Sequence, residues 1–207
     1  MAIVKRKQTE AVDQDERSRT RDQAGLEAEL ADPNATARRW AARDLADFPD
    51  SAARLIARLE VEGETSVREA ILMSLTEIGD AVAVGGLVNC LRSEDAGLRN
   101  EAIEAMKSLP EAIAPIMAGL LADADADVRI FAVNILESLR HPEVEKWLIE
   151  VIDEDPHVNV CATAVDLLGE VGSEAAVAPL EALKQRFPGE PYIAFAADLA
   201  LKRIRGA

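Results

Sequence analysis

Apolar residues return along this chain with a helical period inside a longer one. After Ala37-Arg38 come Ala41, Leu45 and Phe48; after Val67-Arg68 come Ile71, Leu75 and Ile78. After Leu98-Arg99 come Ala102, Met106 and Leu109, and after Val128-Arg129 come Ala132, Leu136 and Leu139. Val160-Cys161 is followed by Ala164, Leu168 and Val171, with cysteine in the arginine's place. Spacings of this kind put one apolar stripe on each helix. The anchors at 37, 67, 98, 128 and 160 lie 30, 31, 30 and 32 residues apart. A fixed period near thirty marks a stacked repeat protein.

Each period holds two helices. First (A) helices are predicted near 34–48, 65–78, 95–109, 125–139 and 157–171, and second (B) helices near 50–60, 80–92, 111–122, 142–153 and 173–187. Pro49, Gly79, Pro110, Pro142 and Gly172 fall at the A-to-B turns, where helix breaking is needed. Asp32-Pro33 and Asp155-Pro156 place an acid at the cap and proline in the first turn, a favoured start. Asp22 opens a half-repeat cap over 22–31, and a helix at about 190–205 forms the other cap, 188–205. The array divides into 32–61, 62–92, 93–122, 123–153 and 154–187, one domain over 22–207. Residues 1–21 are expected to be a flexible charged tail, with Lys5-Arg6-Lys7 too short a cluster to bind anions well.

The A-helix arginine, the small residue one turn later and the acidic turn before it resemble short HEAT repeats of the type first described in phycobilisome lyases. The resemblance covers residues 24–205. It implies an all-α fold, a right-handed α-solenoid, and a structural ladder of Arg38, Arg68, Arg99 and Arg129 bonded to turn carbonyls and to carboxylates of their own and the neighbouring repeat. Cys161 breaks that ladder, so the last interface should be packed differently. No cationic neighbour of Cys161 is evident in the sequence.

Composition narrows the function. Aromatics are only 3%, so the core is made of Ala, Leu, Ile and Val. Net charge is −15; the first 23 residues carry six basic and five acidic side chains, leaving −16 to the repeats. That field repels phosphate, which argues against a nucleic-acid surface. Cys90 and Cys161 are the only cysteines, in the second and fifth repeats, too far apart for a disulfide. Thiols of this kind, with no signal peptide and no membrane span, point to the cytoplasm of a bacterial cell.

Catalytic motifs are missing: there is no nucleophile elbow, P-loop, His-Glu-x-x-His or Cys-x-x-Cys. His141 and His157 are the only histidines and neither precedes a glutamate, unlike the His-Glu pairs that bind iron in the HEAT-repeat hydroxylase. Asp123-x-Asp125-x-Asp127 lacks the glycine and the closing glutamate of a calcium loop. No cofactor and no metal are expected. The remaining surface is the B-helix face, whose outward positions include Arg54, Arg58, Asn89, Pro115, Ala118, Trp147 and Glu150. Gly86 falls outward by the same register. It reads as the concave partner-binding face of a non-catalytic interaction scaffold or adaptor, for a protein presenting a helix or a basic patch. Trp147 is either its aromatic anchor or ordinary core. The alternative is a phycobilin lyase-like subunit or chaperone, which the repeat type implies and no pigment pocket marks.

Overall fold

The computed structural model describes residues 22–206, so the expected tail and Lys5-Arg6-Lys7 lie outside the described residues. Twelve α-helices and three short 3-10 turns occur among them, with no strand. The helices are α1 Gln23–Glu29, α2 Ala35–Asp44, α3 Ala52–Leu59, α4 Thr65–Ile78, α5 Ala81–Cys90 and α6 Ala96–Lys107. They continue as α7 Pro110–Leu121, α8 Ala126–Leu136, α9 Val144–Glu154, α10 Val158–Val171, α11 Val177–Arg186 and α12 Pro191–Ile204. The architecture is all-α, of the helix-pair solenoid class.

Local chemistry sets the helix ends. Gly79 adopts φ 59°, the left-handed conformation that closes α4. Phe48 precedes Pro49 and is driven extended, so α2 gives way to the 3-10 turn Leu45–Asp47 instead of continuing to 48. Asp22, Asn34, Asp95 and Asp125 cap α1, α2, α6 and α8 through their side chains. The Asp-Pro expectation needs correcting. The N-caps are Asn34 and His157, while Asp32 and Asp155 sit two residues earlier and accept the backbone N–H of 34 and 157. Glu62, Ser93 and Asp123 do the same for residues 64, 95 and 125. Each repeat thus opens on a side-chain turn, and the capping residue follows it.

The chain falls into two compact units, one ending at Gly86 and the other beginning at Leu87. In the first, α2 packs along α4, with α1 and α3 beside them. Its core holds Leu26, Leu45, Leu55, Ile71 and Leu75. Ser74 on α4 is buried and donates to the Ala42 carbonyl of α2 at 2.8 Å, tying the two A helices together. Gly86, expected outward, is buried: a Cβ there would lie 2.4 Å from the Ile56 side chain. In the second unit the A helices α6, α8, α10 and α12 pack in succession, and the B helices α7, α9 and α11 do likewise. Met106, Ile113, Met117, Ile135 and Leu136 are fully buried between them.

Candidate functional site

Two sets of side chains repeat with the fold, one at the A-helix starts and one on the B helices. At the A-helix starts, Arg38, Arg99 and Arg129 reach back to their own turns. Arg38 donates to the carbonyls of Asp32 and Pro33 at 2.9 and 3.1 Å, Arg99 to Ser93 at 2.6 Å, and Arg129 to Asp123 at 2.7 Å. Two of them also reach forward to the acid that opens the next repeat. Arg38 forms a two-point pair with Glu62 at 2.8 and 2.9 Å, and Arg129 with Asp155 at 2.6 and 3.1 Å. Arg99 makes no such pair among the described residues, and Asp123, the acid at the matching spacing, is held by Arg92 at 2.5 Å. Arg68 stands half-buried in the first turn of α4. Burial alone would raise the Glu62 carboxyl. Hydrogen bonds from Arg38, the Glu64 N–H and Arg58 outweigh it and lower Glu62 to about 2.

At the fifth A helix, Arg186 from the end of α11 fills the place left by Cys161. It donates to the Asp155 carbonyl, to Ile152 O at 2.7 Å and to Cys161 Sγ at 3.2 Å. Cys161 therefore has a cationic neighbour, contrary to the sequence reading. Burial still dominates that cation and pushes the thiol up to about 11, so it is inert at neutral pH.

The B-helix residues divide between the two units. Arg54 and Arg58 lie in the first: Arg54 is exposed and 3.4 Å from Glu27, while Arg58 is drawn into the Glu62 cluster at 2.7 Å. Asn89 and Pro115 lie in the second, exposed on α5 and α7. Ala118, Trp147 and Glu150 come together in the second unit around a cavity of about 340 Å³. Its wall is completed by Leu121 and Ala122 of the α7 end, Val151, Glu154 and Pro156 of the α9 end, and Asp123, Arg129 and Asp155.

Trp147 is only 8% exposed, and its ring stacks on His141 at 5.0 Å with the planes 10° apart. Position 147 is thus both core and cavity wall. Glu150 and Glu154 stand exposed one turn apart on α9. The acids 123 and 155 were not singled out from sequence as part of this face. Their spacing of 24–26 residues beyond the preceding arginine was the available signal. Among the described residues no three His, Cys, Asp or Glu side chains are placed to hold a metal ion, and no helix is long and apolar enough to cross a membrane.

A sequence model of HEAT repeats matches residues 23–107 and 113–201. No curated protein matches the chain. Among solved structures, the complex of CpcE and CpcF of phycocyanin lyase from Nostoc sp. PCC7120 is similar at 18% identity and a TM-score of 0.39, covering 88% of this chain and 95% of that one. The archaeal HEAT-like repeats protein from Thermococcus onnurineus NA1 is 16% identical with a TM-score of 0.46, over 89% and 87%. Human deoxyhypusine hydroxylase in complex with glycerol is 18% identical with a TM-score of 0.46, over 89% and 85%.

Proposed function

This chain belongs to the HEAT-repeat family, and on that premise we propose that it is a non-catalytic interaction scaffold or adaptor that holds a protein partner on its B-helix face. The observation that carries the reading is the cavity gathered from α7 and α9, where Ala118, Trp147 and Glu150 meet. Small side chains at 118 and 122 admit a partner backbone closely, and the aromatic wall supplies contact area at low entropic cost. His141 is engaged with Trp147 and the Glu143 N–H, so it stands as a packing residue.

The test is recovery of the tagged full chain from its native host, wild type against Glu150→Arg. The expected result is one protein retained in fixed ratio by the wild type and lost by the variant, with melting unchanged. Visible absorbance from a bound pigment, with no retained protein, would favour the lyase-like alternative. A retained protein that Glu150→Arg leaves bound would move the interface elsewhere.

A further inference from the structure

We propose that the cavity between α7 and α9 receives one arginine side chain of the partner. The inference rests on the interaction reading above and adds the chemistry of the guest.

Four carboxylates and one arginine line the cavity. Asp155 is neutralised by Arg129, and Asp123 by Arg92. Glu150 has only Lys146 at 4.0 Å, and that lysine lies closer to Glu143, at 3.0 Å. Glu154 has no ion pair among the described residues. The excess charge is therefore a pair of carboxylates one helical turn apart, about 6 Å between their Cβ atoms. A planar guanidinium carries donors on more than one edge and spans such a pair, whereas a compact ammonium satisfies one carboxylate at a time.

The rest of the wall suits the same guest. Leu121, Val151 and Pro156 offer apolar surface to the three-carbon stem of an arginine. The Trp147 ring, backed by His141, forms part of the same wall. Its N–H makes no hydrogen bond among the described residues and is open to solvent. A main-chain carbonyl of the segment that carries the arginine would satisfy it. The volume of about 340 Å³ admits one long side chain and no folded element.

The probe is a capped octapeptide of alternating alanine and arginine, with lysine and citrulline versions of the same length. Binding is followed by the emission of Trp147 in a Trp40→Phe chain, which leaves it the sole tryptophan. The arginine peptide should shift that emission, the lysine peptide should bind at least fivefold more weakly, and the citrulline peptide should not bind. Glu150→Gln with Glu154→Gln should weaken the arginine peptide at least tenfold. Glu111→Gln with Glu174→Gln, which remove the same charge elsewhere on the second unit, should change it less than twofold. Equal weakening by both pairs would mean diffuse attraction to an acidic chain and would overturn the proposal, as would equal affinity for lysine or an unmoved Trp147 emission at saturation. A native partner still lost on Glu150→Arg in the face of such a result would leave the interaction reading standing without this guest.

Discussion

The starts of the A helices α2 and α10 solve one problem in two ways. Before α2, Arg38 satisfies its own turn carbonyls and locks onto Glu62, which Arg58 also grips; Arg38 and Glu62 are 7% and 6% exposed. Before α10 both partners of the pair have changed. Cys161 stands in the arginine's slot, and Phe187, 26 residues on as Asp155 is from Arg129, stands in the acid's. The guanidinium now comes from Arg186. It covers the same turn carbonyl and lies 4.8 Å over the Phe187 ring, but it is exposed and has no carboxylate among the described residues. At four of the five A-helix starts a guanidinium meets the carbonyl six residues before the ladder position, and where that cation is rooted is free. Rooting decides what the contact is worth, since a buried charge pair depends on both members and an exposed one on neither.

The largest effect should follow from breaking the α2 version. Arg38→Ala leaves the Glu62 carboxylate in the core with only Arg58 and the Glu64 N–H, at a cost of about 3–5 kcal/mol. Urea unfolding at pH 7 measures it. The pH dependence of the two sites should run in opposite directions. Glu62 is lowered from 4.5 to about 2, so its contribution is full above pH 4.5 and is lost as pH falls toward 2. Cys161 is raised from 9.0 to about 11, so its contribution is full below pH 9 and is lost as pH rises toward 11. Glu62→Gln should flatten the acid arm and Cys161→Ser the alkaline arm. An acid arm unchanged in Glu62→Gln would place the titrating group elsewhere.

Arg38 at the α2 start was legible in the sequence, whereas its acid Glu62, the part Arg58 plays and the α10 arrangement were not, for a physical reason. Arg38 acts within one period, and the register of Ala37-Arg38 against Val67-Arg68 and Val128-Arg129 fixes where it points. Helix α4 likewise fills 65–78 as its apolar stripe and Gly79 dictate. Arg186 works across a helix end that no spacing rule links to Cys161; only packing of α11 on α9 brings it there. The Asp-Pro starts misled because an acid in a side-chain turn and an acid at an N-cap look alike in sequence. Trp147 was ambiguous because helical register gives a direction around the axis, and a flat indole covers both the core and the cavity from one position.

A middling effect is expected from Arg186→Ala. The carbonyls of Ile152 and Asp155 lose a donor at the rim, where water replaces part of it, and the Cys161 thiol still reaches Asp155 O at 3.3 Å. A loss of about 1–2 kcal/mol follows, well below that of Arg38→Ala. Arg186→Lys should recover only part of it, since one ammonium cannot meet two carbonyls and a sulfur together. A loss matching that of Arg38→Ala would mean that exposure does not separate the two sites.

The smallest effect belongs to Arg99, and it can be enlarged on purpose. Arg99 donates to Ser93 O and lies 5.8 Å from the Phe131 ring, while the acid its spacing points to, Asp123, is occupied by Arg92. With one neutral acceptor and a distant ring, Arg99→Ala should cost about 1 kcal/mol or less. Removing the competitor changes the balance. Hydrogen bonds from Arg92 and from the Asp125 N–H hold the Asp123 carboxyl below its ordinary range; in Arg92→Ala it is left with the backbone donor and an arginine on the adjoining helix. Asp123 should then turn to Arg99 as Asp155 does to Arg129. In that background Arg99→Ala should cost about 0.5–1 kcal/mol more than in the wild type, a coupling within the range of contacting charged groups. The four proteins of the cycle, unfolded in urea at low salt, give the coupling directly. Strict additivity would show that Asp123 is fixed by its own turn and that Arg92 displaced nothing when it took that acid.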